Sequence, residues 1–177
     1  TQANAWVARA LAYYGTHATP TLYRQAILTR VLQDNAPISV KKEILNREGE
    51  PQTSFTHGEL AYVRLTIQTP ATVAHLAIRD RLPGGFEYED ANLATRESAT
   101  PPAWAKDDNS LIILAKENLG AELRFFGKIY ATETKALIYP VRASTKGTFA
   151  IPAAVAEDMY QADIVGGHDP QETLIIQ

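Results

Sequence analysis

Residues 60–68 alternate with few breaks: Val63, Leu65 and Ile67 lie on one side, and Tyr62, Arg64 and Thr66 on the other. A period of two suits a β-strand whose faces meet different surroundings, and it does not suit a helix. The same texture returns at short intervals. Leu76 and Ile78 point inward over residues 73–80, with Arg79 and Asp80 read as the charged exit of that strand. Leu137, Tyr139, Val141 and Ala143 share one face over 136–143. Further strands are expected from Ile38 through Val40 to Ile44, and over 111–115, 122–131, 148–151 and 172–176. Turn chemistry fills the gaps, as in Glu48-Gly49-Glu50-Pro51, His57-Gly58-Glu59, Leu82-Pro83-Gly84-Gly85-Phe86 and Lys146-Gly147. Many short strands without strand–helix–strand alternation predict a mainly β fold, an antiparallel β-sandwich rather than a parallel sheet.

Three segments read differently. Ala5, Ala8, Leu11 and Ala12, beside Trp6 and Tyr13, recur at helical spacing and predict a short N-terminal α-helix over residues 3–14. Thr1 or Asn4 would cap it and Gly15 would stop it. One such helix cannot bury its small-residue face alone, so it is expected to come from a larger helical domain. Residues 22–31 read as a strand, with a short helix as the alternative, and Pro152 to Tyr160 reads as a helical turn because of its alanines. The polar stretch from Glu89 to Pro102 reads as a mobile loop. The expected organisation is a helical segment at 1–20, a connecting segment at 21–37 and a sandwich domain at 38–177.

Composition narrows the function classes. A chain of 177 residues with 45% hydrophobic residues can bury a proper core. Net charge is −3 with the signs interspersed, and no basic stripe argues for nucleic acid. No apolar run is long enough to span a membrane. The start at Thr1 instead of Met suggests a fragment or a processed product. Cysteine is absent, which removes disulfides, thiolate metal sites and a Cys nucleophile.

Candidate chemistry is sparse. His17, His57, His75 and His168 show no paired metal-ligand spacing, and His75 is read as facing solvent. No serine sits in a Gly-x-Ser-x-Gly elbow. Gly84-Gly85 and Gly166-Gly167 open no helix after a strand, so neither reads as a phosphate loop. Asp107 and Asp108 suit polar turns better than paired catalytic carboxylates, and the same holds for a calcium cluster built with Glu89 and Asp90. No catalytic residue, metal site or cofactor is expected, and the chain does not read as a self-contained enzyme.

Several stretches carry a family resemblance. Residues 59–67 (ELAYVRLTI) resemble an alternating strand of the C-terminal macroglobulin-like domain of bacterial α2-macroglobulins. Residues 78–85 (IRDRLPGG) resemble its Asp-x-Leu-Pro-x-Gly corner, and 107–114 (DDNSLIIL) its Asp-Asp element. The specific match is Tyr139 through Arg142 and Ala143 to Gly147, Phe149, Pro152 and Ala153, followed by the Met159-Tyr160 run. Ala153 stands where the family pattern has a second Pro. Pro140 falls inside a strand, which predicts an edge position or a bulge there. Residues 1–13, with Thr1, Gln2, Ala5 and Trp6, are similar to the end of the family's helical thioester-type domain.

The resemblance implies a module of a large periplasmic protease trap, anchored to the inner membrane by an N-terminal lipid upstream of this chain. In such proteins a protease cuts a bait region, the molecule rearranges, and the protease is captured. The implied partners are target proteases, met through the full-length protein, the helical domain of the same chain, and a bifunctional penicillin-binding protein. Met159 and Tyr160 are the leading candidates for contact with the helical domain, since an aromatic with a polar tip suits a partly buried interface. The alternative is that Tyr160 plugs its own sandwich. Trp104 and the 89–102 loop are further interface candidates. An immunoglobulin-like repeat of a bacterial cell-surface protein is the competing reading. A carbohydrate-binding sandwich ranks third, for want of a flat row of aromatics.

Overall fold

The structure is a computed structural model, and it describes residues 37–90, 101–161 and 163–177. The expected helix at 3–14, the segment at 22–31 and most of the 89–102 loop lie outside the described residues. Twelve strands and one short helix make up the described part. In chain order the strands are β1 (Ser39–Leu45), β2 (Ser54–Phe55), β3 (Leu60–Gln68), β4 (Val73–Arg81), β5 (Phe86–Tyr88) and β6 (Ile112–Asn118). They continue as β7 (Glu122–Ile129), β8 (Thr134–Ala143), β9 (Gly147–Ala150), β10 (Ala154–Asp158), β11 (Val165–His168) and β12 (Thr173–Ile176). The helix α1 spans Ala103–Asp108.

Two sheets form the sandwich. One is four-stranded in the order β1-β3-β8-β5, and the other is five-stranded in the order β11-β10-β4-β7-β6. Both are antiparallel. Alternation explains their meeting face. Val63, Leu65 and Ile67 of β3 and Leu137, Tyr139 and Val141 of β8 point to the same core as Leu76 and Ile78 of β4 and Leu123 and Phe125 of β7. The Phe125 and Tyr139 rings touch across the layers, with centroids 5.4 Å apart. Burying each large aliphatic side chain here contributes about 1.5–3 kcal/mol.

The opposite face of the four-stranded sheet carries a second, smaller core. Tyr62 and Leu60 of β3, Leu45 of β1 and Ile138 of β8 pack under Ala105 and Trp104 of α1. Tyr62 therefore points away from Val63 and Leu65, as the alternation requires, yet it is fully buried. The helix is only six residues long and escapes a sequence reading because only Trp104 and Ala105 anchor it.

A third sheet, β2-β12-β9, closes one end of the sandwich. Here β12 runs parallel to β2 and antiparallel to β9. It settles on the Leu82–Phe86 corner, where a Cβ on Gly85 would lie 2.5 Å from both Ile176 and Phe149. A larger residue there would force the Ile176 and Phe149 side chains to shift.

The open edge of β1 is closed piecemeal. The Gln52 amide donates to the Ile44 carbonyl at 2.9 Å, and the Lys42 amide donates to His168 Nδ1 at 3.0 Å. Gly166 of β11 comes so close that a Cβ there would sit 1.6 Å from the Ile38 carbonyl oxygen.

Three expectations are corrected. Asp80 is not a charged exit: it is wholly buried in the core. Residues 154–158 form strand β10, not a helical turn, because they pair with β4 on one side and β11 on the other. Pro140 lies in an interior strand without a register shift against β3. Its missing N–H costs little because it faces the place where β5 ends. The Pro140 carbonyl still accepts the Glu89 amide there at 3.1 Å.

Candidate functional site

Asp158 ends β10 and organises the turn that follows. Its Oδ1 accepts the backbone N–H of Tyr160 at 2.9 Å and of Gln161 at 3.3 Å. The Asp158 amide donates to the Ile164 carbonyl at 2.9 Å, and the Ile164 amide donates to the Gln161 carbonyl at 3.0 Å. The Met159 amide donates to the His75 carbonyl at 2.9 Å, tying the turn to β4. Met159 is half-buried on this support. Tyr160 is 59% exposed and meets the His75 ring edge to face, with centroids 4.6 Å apart and planes at 81°. Tyr160 thus does not plug its own sandwich. It projects from a braced turn.

Trp104 stands elsewhere. Its ring packs edge to face on Tyr62 at 5.4 Å, and its indole N–H donates to the Arg47 carbonyl at 2.9 Å. It covers the second core on the four-stranded sheet, whereas Met159 and Tyr160 belong to the five-stranded sheet. The structure therefore brings Met159 and Tyr160 together and leaves Trp104 apart from them. A cavity of about 260 Å³ opens beside α1, lined by Tyr62, Pro101, Ala105, Lys106, Asn109, Ile138 and Pro140. Among the described residues the Tyr62 hydroxyl is the buried side-chain polar atom without a hydrogen-bond partner.

Lys42 and Asp80 escaped the sequence reading. The Lys42 ammonium donates to Asp80 Oδ1 at 2.6 Å, to the Arg81 carbonyl at 2.7 Å and to the Pro152 carbonyl at 3.1 Å. The Tyr139 hydroxyl donates to Asp80 Oδ2. Three strands from two sheets, β1, β4 and β8, meet in this group. Burial pushes the Asp80 carboxyl up, against the pull of Lys42 and Tyr139. Burial, and then the Asp80 charge, holds the Tyr139 phenol well above its ordinary value, so Tyr139 remains a donor. Neither the Lys42 nor the Asp80 side chain is exposed, and all three N–H groups of the Lys42 ammonium have acceptors. The group fastens the two sheets to each other.

Two of the remaining acidic candidates face arginines. Glu89 accepts from Arg142 Nε at 2.8 Å, and Asp108 lies 3.5 Å from Arg64. Among the described residues no group of three or more His, Asp or Glu side chains is placed to hold a metal ion.

This architecture has close counterparts. The sequence profile described as the bacterial α2-macroglobulin MG10 domain matches residues 38–163, well over half of the chain. The chain is 26% identical over 137 residues to the α2-macroglobulin of Escherichia coli, covering 73% of this chain and 8% of that protein. It is also 26% identical over 148 residues to the α2-macroglobulin of Xylella fastidiosa, covering 76% of this chain and 9% of that protein. The chain thus spans less than a tenth of the length of these curated relatives. Escherichia coli α2-macroglobulin activated by porcine elastase superposes with a TM-score of 0.74 at 24% identity, over 82% of this chain and 14% of that one. The native conformation of the same protein gives 0.71 at 22% identity, over 82% and 10%. Profile and superpositions agree, and the competing reading as an immunoglobulin-like surface repeat is not favoured. The chain belongs to the bacterial α2-macroglobulin MG10 domain family.

Proposed function

We propose that this domain works by binding and conformational locking within a periplasmic protease trap, and not by catalysis of its own. The observation that carries the reading is Tyr160: a large aromatic, mostly exposed, on a turn pinned by Asp158 and His75. Exposed aromatics held in one place suit interfaces, because docking them then orders little. In this reading Met159 and Tyr160 pack against the helical domain of the same protein in its resting state. Cleavage of the bait region by a target protease releases that contact. The Escherichia coli relative is described as activated by elastase, which supports a rearranging parent. The family also suggests a lipid anchor at the inner membrane and a bifunctional penicillin-binding protein as partner.

The test is Tyr160→Ala in the full-length parent. The resting form should loosen before any protease is added, seen as a shift in native-gel mobility and faster cleavage outside the bait region. An unchanged resting conformation together with unchanged protease sensitivity would overturn the reading.

A further inference from the structure

We infer that His75 is a positioning residue for Tyr160, setting the direction in which the exposed ring leaves the domain. The inference rests on the reading of Tyr160 as the docking aromatic. Strand β4 slips register against β7 between Val73 and Leu76, and both Ala74 and His75 face outward in that slip. Alternation from the buried Leu76 turns His75 to the outer face, and the extra residue of the bulge is accommodated beside it. The imidazole there lies against the Tyr160 ring, 4.6 Å between centroids. Asp158 and the His75 carbonyl already hold the backbone of the turn. The freedom left is rotation about the Tyr160 side-chain bonds, and an exposed tyrosine otherwise samples several staggered rotamers. The edge-to-face contact removes part of that freedom before docking. The gain is preorganisation, without any contact between His75 and the partner.

The experiment uses four variants of the full-length parent: Tyr160→Ala, His75→Ala, His75→Phe, and Tyr160→Ala combined with His75→Ala. The readout is the ratio of resting to loosened form before protease is added, with a thermal melt as a check on folding. His75→Ala should lower that ratio about 2- to 10-fold, less than Tyr160→Ala, as expected for lost ordering of one side chain. His75→Phe keeps a ring at the same place and should restore the ratio. The double variant should match Tyr160→Ala, because His75 has nothing left to position. If Tyr160→Ala lowers the ratio and His75→Ala does not, the positioning role falls and the docking role stands. If Tyr160→Ala itself changes nothing, the underlying reading falls. Additive loss in the double variant, or failure of His75→Phe to restore, would overturn positioning through the ring contact.

Discussion

Lys42 on β1 and Asp80 on β4 form an ion pair of 2.6 Å in which neither side chain reaches solvent. The pair links the two sheets, with Tyr139 of β8 as a third member. Removing one partner strands the other charge in the core, which typically costs 3–5 kcal/mol. Lys42→Met or Asp80→Leu alone should therefore lower the unfolding free energy by about 3–5 kcal/mol in urea titrations. The double variant should recover most of the loss, because no charge is then left buried. A double variant as unstable as the sum of the singles would contradict this account.

The pH dependence divides by sign. Burial raises Glu43 and Glu122, but Lys41 and Arg64 at Glu43, and Arg124 and Arg81 at Glu122, hold both below the ordinary carboxylate value. A lowered folded-state value contributes stability above the unfolded value and loses it as pH falls through the folded one. Asp80 is raised, so its share runs the other way, present at low pH and lost as pH rises. Urea midpoints should thus fall on acidification below about pH 4.5, near the ordinary value for Glu. Glu43→Gln should flatten that fall while leaving the rise attributed to Asp80. An acid limb as steep as in the unaltered chain would argue against Glu43.

Gly166→Ala should be among the most harmful single-methyl additions. The new Cβ would meet the Ile38 carbonyl oxygen at 1.6 Å, so β11 must move off β1. Overpacking of this kind costs roughly 1–3 kcal/mol. Faster amide exchange at Lys42, whose N–H is held by His168 of the same strand, would report the movement directly.

Trp104→Ala and Tyr62→Phe should differ in sign. The first exposes the second core and breaks the bond to the Arg47 carbonyl, a loss of about 3 kcal/mol for a large aromatic. The second removes a buried hydroxyl that has no partner, so stability should hold or rise by up to about 1 kcal/mol. Thermal melts of both variants check the pair, and a clear loss for Tyr62→Phe would reveal a bond made by that hydroxyl.

Legibility in the sequence followed the range of the forces involved. Strands β3, β7 and β8 could be read because one core selects every second side chain, a local signal. Asp80 was misread because its partner Lys42 lies 38 residues away and only the closed sandwich brings them together. Residues 154–158 were misread because alanine favours helices in isolation, while pairing on both sides decides for a strand. Met159 and Tyr160 stood out as a motif, but periodicity could not choose between plug and projection. Exposure and the His75 contact separate the two, and both arise only once β4 and β10 are paired in the folded chain.

The sheet that closes the end of the sandwich couples residues far apart in time as well as in space. Ser54 and Phe55 pair with Ile175 and Ile176, so an early segment waits for a late one. During synthesis Phe55 and Phe86, whose rings meet at 5.3 Å, emerge more than eighty residues before β12 can cover them. A ribosome adds about 5–20 residues per second, so this apolar end stays open for seconds. That interval, rather than any weakness of the finished domain, is when a nascent chain of this design is most open to chaperones and to aggregation.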